Sequence, residues 1–549
     1  MDVEGLPWFF KKGSQNVYTS ERASYLVLDF EASIKGNGPV DPDAYLVLAC
    51  WTVVCPGFPS VRKYAWGNEY EMKELIKDIK SVNFIVAHNA KYEMQWLKRC
   101  GMDLRNVLSY CTMLGQWVLD GNQALPRSLK GMAKRYGLKP KMDLIAFLWD
   151  AGMETDDIPK DWLHEYCELD VDLCHAIFLK QRIRLQAQQQ LHLAFVRNIS
   201  AACLADIEFN GMTLDKERIY AEHERVSGEL ATTGEALDRI SGGINLASPK
   251  QVGELLFTVL GFAPPLDQRR KPILTGGGAI STSATALQAL HAVTDEQREF
   301  LSVYKRYNKL DSLLTKNLAF FKGVCDERDG VFHAAFNQNI TKTHRLSSSG
   351  RPIKFAGAKK AKGAQFQNLP REYKKLFWSG DEDYFIGEAD GAQLEFRVAA
   401  DMGRDLLAID EIANDVDIHA NTAKVFVDDG TQAEFIGLTY QQARQPAKPQ
   451  TFKPLYGGTG NTPAEKVYCE FFKNKYKGIA DTQRGWALRV ANDKHFRTPY
   501  GMMFYWPDAK MNRWGNLNYG TQVYNFPVNL SGLRERSLLN NGVNSGKLS

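Results

Sequence analysis

The sequence predicts a multidomain protein of mixed α/β and α+β class, and three observations carry that prediction. Apolar runs of strand length alternate with helical patterns out to about residue 190, the pattern of a layered α/β structure. A largely helical stretch follows, to about residue 330. Beyond it, strand-like runs, a basic loop and new helical patterns return. At about 150 residues per domain, a chain of 549 residues with 44% apolar content implies roughly three or four domains with sizeable cores.

Each element can be justified in order. Tyr25-Leu-Val-Leu-Asp-Phe, Tyr45 to Val54 and Phe84-Ile-Val-Ala read as buried strands, with helices over Glu71 to Ile79 and Trp162 to Gln189. Leu204 to Gly211 leads into a helix over Asp215 to Leu237. Ser248-Pro249 opens another, with Ser248 as cap and Pro249 at its first position. A Gly-, Pro- and Arg-containing loop from Pro264 to Gly278 interrupts, and long helices resume from Thr294 to Phe321. Arg351 to Gly363 is a basic loop holding Lys354, Lys359, Lys360 and Lys362. Tyr384 to Asp390 reads as a strand running into a turn, with a helix from about Gln393.

The formal net charge of +4 permits nucleic-acid binding without arguing for it, since a groove needs local charge. Nine cysteines with no CxxC pair fit a reducing compartment and argue against a disulfide framework or a structural zinc site. The start is acidic and no run is long enough to span a bilayer, because Pro56 breaks the most apolar one. The expectation is a soluble cytoplasmic protein with no membrane partner, in the host cytoplasm if the source is viral.

Three short motifs carry chemistry in the first 190 residues. Asp29 and Glu31 form an Asp-x-Glu pair at a strand end, where period 2 puts both carboxylates on one face. Asn89-Ala-Lys-Tyr-Glu93 follows another apolar strand. Tyr166 and Asp170 share one face of a helix at i, i+4. Alone, each is a weak signal, since such residues are usually solvated or structural. The ordered set resembles the three motifs of the DnaQ-like 3′→5′ exonuclease domains, of RNase H-like fold, attached to polymerase I enzymes. The resemblance implies that Asp29, Glu31 and Asp170 hold two divalent ions, that Tyr166 orients the attacking water and that Asn89 touches the single-stranded end. Hard oxygen donors suit Mg²⁺ or Mn²⁺, and phosphodiester hydrolysis suits a two-metal site. Glu93 stands where the family usually has Asp; its extra methylene moves the carboxylate by about 1.5 Å. It is expected still to serve as a ligand.

A second constellation follows. Ala389-Asp390-Gly-Ala-Gln393-Leu-Glu395-Phe-Arg397 places an acid at a strand end before a helix. Arg444-x3-Lys448-x3-Phe452-x3-Tyr456-Gly457 would set two cations and two aromatics along one helix stripe. These resemble motifs A and B of family A DNA polymerases, a right hand of thumb, palm and fingers. The resemblance implies that Asp390 binds both catalytic metals, that Glu395 excludes a ribose 2′-OH, and that Arg444 and Lys448 grip the triphosphate. It implies that Phe452 stacks on the incoming base and that Tyr456 and Gly457 lie at the insertion site. Asp417-Ile-His419 resembles a fingers segment whose His contacts the nucleotide phosphates. Thr343-His344-Arg345 and Gln367-Asn368 resemble the primer–template strip, with His344 in place of a usual Gly. Gln393, Arg397, Arg345, Asn368 and Gly457, with Asn89 of the first set, are the implied DNA contacts. Pro446, Pro449 and Pro454 fall inside motif B, each costing about 3 kcal/mol in a regular helix, so a kink or break is expected there.

The resemblance divides the chain into an N-terminal extension (1–21), an exonuclease domain (22–190), a linker and thumb (191–330), a first part of the palm with motif A (331–405), fingers with motif B (406–497), a return toward the palm (498–528, ending in Tyr524-Asn-Phe-Pro-Val528) and a disordered tail (529–549). No His-Asp-Glu follows Val528, so motif C and the C-terminal part of the palm are missing, and the polymerase half is expected to be inactive alone. Read-through at an intervening sequence would account for this; so would a second polypeptide supplying the fragment in trans. The insert-rich motif B and the extra basic loop give the chain a phage-like cast. The expected function is a DNA-directed DNA polymerase with proofreading, acting on primer–template and dNTPs. The alternatives are a stand-alone 3′→5′ exonuclease with a DNA-binding polymerase remnant, and a non-catalytic DNA-binding remnant.

Overall fold

Strand β1 (Tyr25–Ala32) is the beam on which the N-terminal layer is built. It pairs antiparallel with β2 (Leu46–Val54), which pairs with β3 (Val61–Trp66). On its other side it runs parallel to β4 (Phe84–Ala87), itself parallel to β5 (Ser109–Cys111), giving the order β3-β2-β1-β4-β5. Helix α1 (Glu69–Ser81) enters β4, and α2 (Lys91–Arg99) leaves it. Then come α3 (Thr112–Asp120), α4 (Leu129–Arg135), α5 (Leu144–Asp150), the long α6 (Lys160–Ala187) and α7 (Leu191–Asn210).

Both sheet faces are covered, which is why β1 reads as an unbroken apolar run. Leu26, Leu28 and Phe30 point into a core with Leu75, Ile79 and Met94, on the side of α1 and α2. Tyr25 and Val27 point the other way, into a core with Tyr166, Cys167, Val171 and Cys174 of α6. Strand alternation therefore places Asp29 and Glu31 on the α6 side. The ladder slips between Glu31 and Ala32, a bulge-like irregularity immediately after the second acid.

A computed structural model of the chain describes residues 14–34, 38–67, 69–139, 143–246, 248–266, 271–283, 286–287, 289–353, 355, 363–432, 434–460, 462–511 and 517–518. Lys354, Lys359, Lys360 and Lys362, the Tyr524 to Val528 segment and the tail 529–549 lie outside the described residues. The chain divides into two units: Met1–Asn210 with Phe336–Ser348 and Glu388–Ser549, and Gly211–Ala335 with Ser349–Gly387.

The second unit is built around helices α8 (Lys216–Ser241), α9 (Pro249–Glu254), α10 (Asp295–Leu313) and α11 (Ala319–Glu327), with a small sheet of β6 (Met212–Leu214), β7 (Val331–Phe332) and β8 (Phe377–Trp378). Its starts are capped, at Ser248 as the sequence suggests and at two further helices. Asp215 accepts from Arg218 N, Ser248 accepts from Gln251 N with Pro249 at the first position, and Thr294 and Gln297 form a capping box. Leu237, Leu256, Phe300 and Tyr304 close its helical core, and Phe320, Phe321, Phe332 and Phe377 pack edge to face beside the sheet.

The first unit resumes with α12 (Leu394–Gly403), α13 (Leu406–Ala413), α14 (Ile418–Asp429), α15 (Tyr440–Leu455), α16 (Pro463–Lys475) and α17 (Lys477–Asp493), then the hairpin β9 (His495–Arg497) and β10 (Met503–Tyr505). Two expectations are corrected here. Tyr384 to Asp390 is not a strand: it is exposed, Phe385 by 92%, and no ladder partner is described beside it. A strand satisfies its backbone only through a neighbour, so an apolar run without one stays irregular. Motif B, expected to kink or break, does not break: it runs as one helix across all three prolines. A Thr439–Gln442 capping box starts it; Ala443, Ala447, Thr451 and Leu455 bury one stripe; Thr451 Oγ1 bonds Thr422 Oγ1 on α14 at 2.8 Å; and Gln483 Nε2 donates to Leu455 O at 2.6 Å. Tertiary packing overrides the local proline penalty.

Candidate active sites

The first site forms where β1, α2 and α6 meet. Ligand atoms of Asp29, Glu31 and Cys167 lie within 4.8 Å of one another. Cys167 Sγ sits 3.6 Å from Asp29 O and 3.7 Å from Asp29 Oδ2. On α6, Tyr166, Cys167, Asp170 and Cys174 are all buried at helical spacing, so Tyr166 and Asp170 share the covered face. Glu93 comes from the first turn of α2. It is buried, and its Oε2 has no hydrogen-bond partner among the described residues. Burial, and then the charge of Asp29, push its carboxyl well above the usual range. Both Asp29 and Glu93 act on the buried Cys174 thiol, which burial already raises. Asn89 stands exposed at the turn between β4 and α2 in the left-handed region (φ 61°), which Asn tolerates.

This cluster fits a divalent cation. Asp29 and Glu31 offer hard oxygens, and the orphaned Glu93 oxygen is a buried acceptor awaiting a charge partner. Cys167, which the sequence reading did not single out, is a different donor. Its soft thiol is pushed well up by burial, then by Cys50 and Asp29, and it lines the site. Its signal was available: it follows Tyr166 and precedes Asp170 by three, on the same helix face.

The second site gathers residues of α12, α14, α15 and the 341–346 loop. Asp417 caps α14, accepting from His419 N at 2.9 Å and Ala420 N at 3.1 Å, while its other oxygen takes Arg444 Nε at 2.5 Å. Burial opposes these bonds, yet together with the Arg444 charge they hold Asp417 below its ordinary range. His419 is buried against Phe452, ring centroids 5.2 Å apart, and burial lowers its imidazole; Asp417, Arg444, Lys448 and Glu395 all act on it. Phe452 and Tyr456 follow one turn apart, with centroids at 6.2 Å. Arg345 joins the set: its guanidinium lies 3.4 Å from Glu395 Oε1 and 3.4 Å from Tyr456 Oη.

Glu395, His419, Arg444, Lys448, Phe452, Tyr456 and Arg345 are thus brought together. Asp390 is exposed and belongs to no metal-holding cluster among the described residues. Arg397 is exposed and turns Nε to Ala392 O at 2.9 Å. Gln393 caps α12 in the left-handed region (φ 51°), and Gly457 uses φ 77° to leave α15. Asn368 lies in the other unit, exposed and bonded to Gln365.

Comparison with known proteins finds two family matches along the chain. The family model for DNA polymerase family A matches residues 216–528, and that for 3′-5′ exonuclease matches 63–186. DNA polymerase I of Synechocystis is 27% identical over 368 residues, that of Pseudomonas aeruginosa 25% over 460, and that of Bacillus subtilis 30% over 369. These alignments cover 64%, 80% and 65% of this chain but 34%, 47% and 37% of the relatives, so the chain spans between about a third and a half of their length. Among solved structures, the POL domain of Pol1 from M. smegmatis, in complex with DNA primer-template and dNTP, has the same fold, with a TM-score of 0.64 at 20% identity over 97% of this chain and 85% of that one. No described helix is long and apolar enough to cross a membrane. The chain belongs to DNA polymerase family A and carries a 3′→5′ exonuclease domain ahead of its polymerase region.

Proposed function

We propose that the chain removes nucleotides from DNA 3′ ends at the β1–α2–α6 site and binds primer–template and an incoming dNTP at the α12–α14–α15 site. The observation that carries the excision reading is the buried acid cluster: two carboxylates on one strand face, a thiol beside them and an orphaned Glu93 oxygen. Asp29, Glu31 and Asp170, with Glu93, would hold Mg²⁺ or Mn²⁺, which when bound supplies a hydroxide and steadies the leaving oxygen. Tyr166 orients the attacking water and Asn89 holds the single-stranded 3′ end. At the second site Arg444, oriented by Asp417, and Lys448 take the triphosphate charge. His419 touches the phosphates, Phe452 stacks on the base, and Glu395 excludes a 2′-OH. Gln393, Arg397, Asn368 and Gly457 contact primer–template, and Asp390 is the polymerase metal ligand.

A second reading, an exonuclease whose polymerase half only binds DNA, is favoured by the exposed, unladdered segment carrying Asp390. A gel assay on a 5′-labelled primer–template with Mg²⁺, with and without dNTPs, tests both. Shortening in both conditions supports excision and the second reading; extension on adding dNTPs supports the first. An intact primer in both conditions overturns the proposal.

A further inference from the structure

His344 is a histidine in a place that favours glycine. Its φ is 60°, in the left-handed region. The ring recovers that cost by burial: it is 5% exposed and stacks on Trp117 of α3 with centroids 3.7 Å apart and planes 23° apart. Phe504 of β10 meets it edge-on at 5.0 Å, and Nε2 bonds Gly121 O at 3.1 Å. Arg197 of α7 lies over the Trp117 ring at 5.1 Å. The loop is tied at two more points, to the exonuclease module by Arg127 to Asn339 O at 3.4 Å and to α7, just beyond that module, by Gln338 Nε2 to Arg197 O at 3.1 Å.

The next residue, Arg345, has a different environment. Its side chain is 56% exposed and reaches Glu395 and Tyr456, both in the nucleotide site. Adjacent residues thus face two different catalytic modules. A half-exposed arginine with two 3.4 Å contacts has little to fix it in water. Its backbone is held by Thr341 Oγ1, which donates to Arg345 O, and by the ring one residue earlier, clamped by aromatic side chains of the exonuclease module and the β9–β10 hairpin.

We propose that His344 is a positioning residue through which the exonuclease module holds Arg345 at the polymerase nucleotide site. It rests on the reading that the polymerase half binds primer–template.

The test uses the full chain. In limited tryptic digestion without DNA or metal, cleavage after Arg345 is followed by mass spectrometry. Trp117→Ala and His344→Gly should accelerate it about tenfold, the scale of one aromatic pair and one hydrogen bond, while Trp117→Phe, which keeps an aromatic face, stays near wild type. In anisotropy titrations with labelled primer–template, Trp117→Ala and His344→Gly should each weaken binding severalfold, and neither should weaken it further when Arg345 is already Ala. Unchanged cleavage at Arg345, equal acceleration at every tryptic site, or affinity losses that add fully to Arg345→Ala each overturn the inference. If the wild-type chain binds no primer–template while cleavage at Arg345 responds as stated, the polymerase reading fails and the anchor stands.

Discussion

The two acid-bearing segments of the chain are built from similar sequence and held very differently. Asp29 lies within a strand that is paired on both sides and covered on both faces, with α6 packed over its carboxylate. Asp390 stands four residues beyond a shorter apolar run, Tyr384 to Ile386, that is exposed and without a described ladder. The contrast teaches that an acid at a strand end becomes a candidate metal ligand only when the strand is held, because only a paired backbone fixes the carboxylate to the tolerance a cation demands.

The largest effect that could break this comparison lies at the supported end. Asp29→Ala should lower excision of 5′-labelled single-stranded DNA by at least about a hundredfold, since even residues behind metal ligands cost 10–100-fold. Glu93→Ala should also reduce excision; unchanged activity would remove Glu93 from the site. A pH experiment gives the next effect in size. Burial, then the nearby Arg197 and Arg127, hold His344 well below its ordinary value of 6.5, against the opposing pull of the Gly121 carbonyl. The folded chain carries it neutral, whereas the unfolded chain takes up the proton. Its stabilising contribution is present above about pH 6.5 and is lost as pH falls, by up to about 1.4 kcal/mol per unit. Denaturation of wild type and His344→Gln between about pH 7.5 and pH 5 should show the steeper decline in wild type. The smallest effect sharpens the unsupported end: Asp390→Ala should change thermal stability by no more than about 0.5 kcal/mol, because the side chain is exposed. A larger loss would mean that the segment has partners.

Much of the supported site was legible. Period-2 alternation placed Asp29 and Glu31 on one face, and four-residue spacing placed Tyr166 and Asp170 on another, because both are local rules. The helix cap at Ser248 was readable for the same reason, and so were the helix starts at Asp215 and Thr294. What failed was non-local. Apolar Tyr384 to Ile386 advertises a strand but cannot advertise its partner. The proline penalties in α15 are local, whereas the Ala443–Ala447–Thr451 stripe that outweighs them depends on α14. The spacing of Cys167 and the motif around His344 were visible, but each gains its meaning from a residue on another element, Asp29 in one case and Trp117 in the other.

One feature of the first unit bears on synthesis. The core that packs α6 against the sheet also contains Val490, Phe496, Met502, Phe504 and Trp506. Gly121 leaves no room for a side chain beneath Met503 O, and Asn122 Oδ1 accepts from Tyr505 N at 2.7 Å, across 383 positions of sequence. At about 5–20 residues per second, a ribosome needs roughly 20–75 s to supply those partners after Asn122 has been made. Until then the nascent exonuclease module has Trp117 and its neighbours uncovered, and its stability depends on how long translation of the polymerase region takes.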